Sequence, residues 1–433
     1  MKLAAKILAT AIIVLCALRF GTSADFYDIA IISAYFAITL IGATIIHLRV
    51  RPSWRNVGLV ALGTLLLAFI DFRAQHFQPA FFGWISFAGI SSLAIMGIDS
   101  VWTKGEERKT NLLAFVPSLL FVTSEYFADN MLRWAATVHD KVYDLYLYAF
   151  DASLHLQIPF AVGRYFAQHG IVRQISLLAY IGLSVPIAVV YAGQLRRTGA
   201  KALQCFIAFV ITGPMGILFY NAVPALGPAH LFTKNFPWHP LAIEQVRHLF
   251  LEPVALDGPR NAIPSLHMAW VLLAWWYSRG LSKPERGIAL FYLVFVALAT
   301  LGTGEHYFID LVVAVPFALF MESLFAYDLR LSDPNRIRGL AFGLLSTCAW
   351  LAALRFSPHV FWSTPILPWT LCAATIAVAL YFESHLRDSG NATPQIAPLS
   401  GDEKPEFGKT ASSHTERPTK TDSIPVLAEI PKL

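Results

Sequence analysis

The chain has 433 residues, 56% of them hydrophobic and only 14% charged, with a formal net charge of +5 and a mean hydropathy of +0.55. A soluble chain carries about 25% charged residues, so an ordinary water-soluble enzyme is excluded. No nucleic-acid partner is expected.

Apolar runs long enough to cross a bilayer recur from end to end. In chain order they cover 3–20, 26–48, 56–72, 80–101, 111–128, 172–195, 200–222, 264–280, 286–303, 306–328, 337–355 and 365–385. The expectation is an all-α, polytopic membrane protein with about twelve transmembrane helices. The first run, MKLAAKILATAIIVLCALRFGTSA, also has the make-up of a signal peptide over residues 1–24. Arg19 interrupts the usual cleavage region and favours an uncleaved helix; both readings leave the topology unchanged.

Three basic residues sit in each of the loops 49–55 (Arg49, Arg51, Arg55), 104–109 (Lys104, Arg108, Lys109), 196–201 (Arg196, Arg197, Lys201), 279–286 (Arg279, Lys283, Arg286) and 330–338 (Arg330, Arg336, Arg338). With twelve spans these loops share one side with Lys2 and Lys6, and the positive-inside rule makes that side, and both termini, cytoplasmic.

Two long segments then face outward. Residues 129–171 mix aromatic and aliphatic residues with Asp144, Asp151, His155, Arg164 and His169, as expected of one or two amphipathic helices at the interface. Residues 223–263 are rich in Pro and Trp. The final segment, 387–433, is dominated by Pro, Ser, Thr, Lys and Glu and is expected to be a disordered cytoplasmic tail. Cys16, Cys205, Cys348 and Cys372 all fall inside expected spans, so neither a disulfide framework nor a zinc site is expected.

Charges within spans are scarce. Asp71, Asp99 and Glu322 lie near span ends, without the ladder of buried carboxylates expected of an ion-coupled transporter. Polar chemistry gathers instead at two stretches, RNAIPSLHMAW (260–270) and GTGEHYFIDLV (302–312). One helical hairpin separates His267 from His306 and returns both imidazoles to the external surface. Asp310 follows His306 by four residues, which puts both side chains on one helix face.

Such a trio has a defined chemistry. An imidazole oriented by a carboxylate can act as a nucleophile, and a second imidazole opposite can protonate a leaving oxygen and later deprotonate an acceptor. A helix starting at Pro264 would offer free N–H groups and a positive dipole end to a phosphate, and Arg260 and Lys234 could add charge-assisted contacts. A metal site is the competing use of two histidines and an aspartate, but a fourth ligand is missing; no metal or other cofactor is expected.

Pro264-Ser265-Leu266-His267 and the spacing from His306 to Asp310 resemble the second and third motifs of the lipid phosphatase/phosphotransferase superfamily named for type 2 phosphatidic acid phosphatase. Together with YNAVPALGPAHLF (220–232) they are similar to its inositol phosphorylceramide synthase-like, or inositolphosphotransferase, branch. The resemblance covers about 111–328 and implies a six-helix catalytic core at 106–330. Accessory helices at 1–105 would precede it and two C-terminal helices at 331–386 would follow.

By that likeness His306 is the nucleophile of a phosphohistidine intermediate, Asp310 orients it, and His267 is the acid and then the base. The chain departs from the broad superfamily in two respects. The first motif is not recognisable, and the Ser-Arg pair opening the third falls on Ala299 and Thr300. The phosphate contacts are therefore assigned to Arg260, Ser265, Lys234 and Gly227. The implied activity is transfer of a phospho-head group between membrane lipids, donor and acceptor, on the extracytoplasmic face. Hydrolysis of a lipid phosphate or pyrophosphate is the alternative, and a non-catalytic lipid transporter or scaffold is a further one.

Overall fold

A computed structural model describes residues 3–21, 34–73, 81–199 and 202–392. Among these residues there is no strand; Val142 and Val254 form one isolated antiparallel bridge. Residues 387–392 of the tail expected to be disordered are helical; from residue 393 on that tail lies outside the described residues, as do 26–33 of the second expected span.

Four helices come first: α1 (Leu3–Gly21), α2 (Ala34–Val50), α3 (Trp54–Arg73) and α4 (Phe81–Trp102). α5 (Gly105–Val138) is a single helix of 34 residues. At about 1.5 Å per residue it reaches about 50 Å, well beyond a hydrocarbon core of about 30 Å. It therefore carries the chain past the expected span end at 128 and into the external segment. Pro117 inside α5 cannot bond the carbonyl of Leu113, and the Tyr191 hydroxyl donates to that carbonyl instead, at 2.5 Å.

Two short helices follow, α6 (Asp144–Ser153) and α7 (Ile158–Gln168), and then α8 (Gly170–Ile181) and α9 (Ser184–Thr198), bent by 56° at their junction. α10 (Ala202–Tyr220) leads into a loop carrying α11 (Pro228–Phe232) and α12 (Ile243–Arg247). The bundle closes with α13 (Leu266–Tyr277), α14 (Lys283–Gly302), α15 (Phe308–Leu324), α16 (Pro334–Phe356) and α17 (Leu367–Ala392).

Among the described residues six helices are long and apolar enough to cross a membrane, namely α3, α4, α10, α14, α16 and α17. There are seven if the bent pair α8–α9 is one span. These helices mark a multi-pass membrane protein, with fewer full-length spans than the twelve expected. Length accounts for two of the shortfalls. α13, with 12 residues, rises about 18 Å, and α15, with 17, about 26 Å.

Both short helices are nonetheless central. α15 is buried at every position from Ile309 to Ser323 and packs against α10, α13, α16 and α17. The outer helices show the reverse pattern. On α3, Leu62, Leu65, Leu66 and Phe69 are exposed, which is tolerable only against lipid because each backbone group is bonded within its own helix. α2 packs on both α4 and α9 and so attaches the N-terminal helices to the rest of the bundle.

The seam between α15 and α16 rests on two glycines four residues apart, Gly339 and Gly343. A Cβ on Gly343 would stand 2.6 Å from the Phe320 nitrogen and 2.7 Å from the Pro316 oxygen. Small residues at this spacing let helix backbones approach closely in a membrane. Asp333 caps α16 by accepting from the Asn335 and Arg336 amides. The buried Arg336 guanidinium reaches back to the carbonyls of Ser323, Leu324 and Leu329, bonding the carbonyl end of α15 as a cation should. Gly343→Leu is expected to unseat α16 at a cost of about 1–3 kcal/mol or more, read as a lower melting temperature of the purified protein in detergent.

Candidate active site

The second and third motifs meet at the ends of α13 and α15. Ser265 is the N-cap of α13, its Oγ accepting from the Met268 amide at 3.4 Å, as serine commonly does at this position. Pro264 therefore precedes the helix rather than starting it, which corrects the expectation from sequence.

Three hydrogen bonds join the two motifs. The Ser265 amide donates to the Asp310 carbonyl at 3.2 Å. His306 Nδ1 lies 2.8 Å from the Ala262 carbonyl oxygen, and His306 Nε2 lies 3.2 Å from Ser265 Oγ.

These contacts distinguish the two nitrogens of His306. A carbonyl oxygen only accepts, so Nδ1 carries the proton and Nε2 presents its lone pair, to which the Ser265 hydroxyl donates. Asp310 Oδ2 stands 3.4 Å from Nδ1 but makes its shorter bond, 2.7 Å, to the Tyr307 amide. The carbonyl of Ala262, rather than the carboxylate, is thus the nearer group fixing the tautomer. Asp310 contributes a negative charge beside the ring. The His306 amide in turn donates to the Thr300 carbonyl at 3.1 Å, so the residue found where the superfamily's arginine would stand positions the histidine backbone.

His267 faces this arrangement. Its ring centroid is 6.3 Å from that of His306, and it lies flat on Tyr180 of α8, with centroids 4.0 Å apart and planes at 16°. His306 is buried at 2% exposure whereas His267 is partly exposed, and the His267 ring makes no hydrogen bond among the described residues. One imidazole is held in place by polar bonds and the other by stacking. At this separation both imidazoles can touch one group bound beside them.

The remaining phosphate candidates lie elsewhere. Arg260 is buried, and its guanidinium bonds the carbonyls of His139, Leu256 and Gly258. It pins the loop before α13 and has little left to offer a phosphate. Lys234 is exposed on a short 3-10 turn, Thr233–Asn235. Gly227, with φ +123°, packs its backbone against the Gly304 and Glu305 carbonyls, where a Cβ would collide. Its amide is taken by Asp144 at 2.8 Å. Of the seven site residues expected from sequence, His267, His306, Asp310 and Ser265 stand together, while Arg260 and Gly227 brace the loops around them. The N-terminus of α13 is also less open than expected. The Met268 amide meets Ser265, while the His267 amide makes no hydrogen bond among the described residues.

Two aspartates of α6, read from sequence only as part of an interfacial helix, turn out to hold the site in place. Asp144 and Asp151 are seven residues apart, hence on one face. Asp144 accepts from the Leu226 and Gly227 amides and from the Tyr307 hydroxyl at 3.0 Å. Asp151 accepts from the Phe308 and Ile309 amides at 2.7 and 3.2 Å, satisfying the first turn of α15 from outside that helix. The only sequence signal for this role was two acidic residues on the apolar side of a short helix.

Residues 145–324 match the sequence model of the PAP2 superfamily. The matched segment contains His267, His306 and Asp310, and it supports a place in that superfamily for this part of the chain. Members of the superfamily are generally phosphatases or phosphoesterases. No curated protein matches the chain, and no solved structure does.

Burial pushes the Asp144 carboxyl up to about 6 and raises Asp151 well above the usual carboxylate range. A carboxyl raised in the folded state binds its proton there before the unfolded chain does. Stability contributed by Asp144 is therefore present at low pH and lost as pH rises from about 4 to about 6. A shift of this size corresponds to up to about 3 kcal/mol. In melting curves between pH 4 and 7.5, the parent should gain stability towards acid relative to Asp144→Asn. Parallel curves would contradict this.

Proposed function

We propose that the protein is a membrane phosphotransferase that moves a phospho-head group between lipids through a phosphohistidine on His306. The observation that carries the reading is the asymmetric hold on that ring. Nδ1–H is fixed on the Ala262 carbonyl, and Nε2 takes the Ser265 hydroxyl, with the His267 ring 6.3 Å away, centroid to centroid. The superfamily match over 145–324 supports an enzyme acting on phosphoesters.

In the first step His267 enters as the imidazolium, the Nε2 lone pair of His306 attacks phosphorus, the P–O bond to the donor's leaving group breaks, and His267 gives that oxygen its proton. The phosphorylated imidazole keeps its Nδ1 proton and gains positive charge, which Asp310 stabilises from 3.4 Å. In the second step His267, now neutral, takes a proton from the acceptor hydroxyl. The acceptor oxygen bonds phosphorus as the P–N bond breaks, and both histidines return to their starting states.

The Ser265 hydroxyl and the His267 amide, at the positive end of α13, are the groups placed to hold the phosphoryl oxygens. No arginine or lysine does so in this reading. The basic loops lie at the other ends of the helices, so the site opens on the extracytoplasmic side.

The test is a lipid screen by mass spectrometry with purified parent and His306→Ala. The parent should form a product lipid only when donor and acceptor are both present, and His306→Ala should lose about 1,000-fold or more of that turnover. Parental turnover in His306→Ala would end the phosphohistidine reading. Prompt release of a free phospho-head group from donor alone would replace transfer with hydrolysis. His267→Asn should cut turnover by about 100-fold or more with a lipid alkoxide leaving group. It should lose far less with an activated aryl phosphate, whose departure needs no proton; an equal loss on both substrates would remove the acid role.

A further inference from the structure

A second lipid-shaped feature lies at the end of α10 remote from Tyr220. A cavity of about 490 Å³ opens between the start of α5 and the start of α10. Leu112, Val116 and Leu120 of α5 form one wall and Leu203 and Phe206 of α10 face them, with Arg108 and Lys109 at one end. From Phe206 to Tyr220 is about 20 Å along α10, so this groove is separate from the histidine pair.

The arrangement follows from spacing. Residues 108, 112, 116 and 120 succeed one another at four-residue steps and make a single stripe on one helix face. The stripe is about 18 Å long, close to half of a hydrocarbon core of about 30 Å, which is the depth of one leaflet. Val116 and Leu120 are 42% and 49% exposed, so the groove is open along its lipid side.

The charges at its end are unevenly matched. Glu107 is held by Arg51 at 2.6 Å. Glu106 faces Lys109 at 3.4 Å, both side chains more than half exposed. Arg108 makes no ion pair among the described residues.

We propose that this groove binds one anionic phospholipid, with an acyl chain along Leu112, Val116 and Leu120 and the headgroup phosphate on Arg108 and Lys109. The apolar stripe suits any phospholipid. The unmatched cation at the depth of the headgroup favours one with net negative charge over a zwitterionic one, whose own ammonium offsets its phosphate.

The test places the full chain in nanodiscs of phosphatidylcholine with a minor share of phosphatidylglycerol, and counts retained lipids by native mass spectrometry. The parent should keep one phosphatidylglycerol in preference to phosphatidylcholine. Arg108→Ala with Lys109→Ala should reduce that preference by about tenfold or more while leaving phosphatidylcholine retention alone. Val116→Trp, which fills the groove from its open side without altering charge, should lower retention of both. Parental phosphatidylglycerol retention in the double variant, or no preference in the parent, would overturn the proposal. A change of oligomeric size in Val116→Trp would also overturn it, by making the groove a surface for a second copy.

Discussion

A polar site at the end of an apolar bundle survives only if its buried donors and acceptors find partners inside the protein, since lipid offers none. Here that requirement falls on one short helix. α6 lies across the site end, and its two aspartates reach different targets: Asp144 the 226–227 loop and Tyr307, Asp151 the opening amides of α15. The start of α15 is thereby fixed, and His306 stands immediately before it. The Gly227 backbone presses on the 304–305 carbonyls from the other side. The histidine is thus held by a chain of contacts reaching from 144 to 310, although its own motif is only a few residues long.

From that fixed backbone follows the chemistry of the ring. An imidazole has two nitrogens that differ only by what surrounds them, and the Ala262 carbonyl removes the ambiguity. Because Ala262 lies just upstream of the Pro-Ser-Leu-His stretch, one motif sets the tautomer of the histidine supplied by the other. Ser265 links them a second time through its side chain and a third through its amide. His267 is held differently, by a face-to-face stack on Tyr180, which fixes the plane of the ring without using its nitrogens.

The meeting of His267, His306 and Asp310, the trio proposed as catalytic, was legible in the sequence because its logic is local. A four-residue step on a helix and one hairpin of predictable length suffice to bring His267, His306 and Asp310 to one end of the bundle. The all-helical, membrane-crossing character was legible from composition for the same reason. What escaped were properties that depend on distant partners. Arg260 looks like a free cation in the chain, yet carbonyls of its own loop and of His139 take its guanidinium. Asp144 and Asp151 look like ordinary charges of an interfacial helix until their partners, about 80 and 160 residues away, come into view. The count of twelve spans assumed that each apolar run becomes a full-length helix. α13 and α15 instead start two residues later than those runs and end three and four residues earlier. α5 runs on past its apolar stretch.

The asymmetric hold on His306 makes a claim about a single atom, and the phosphoenzyme can be interrogated for it directly. Enzyme quenched in alkali during turnover of a phosphorus-labelled donor lipid, then digested and analysed for the isomer of phosphohistidine at position 306, should carry phosphate on Nε2. Phosphate on Nδ1, or on another residue while His306 stays unmodified, would contradict the central role assigned to the Ala262 carbonyl.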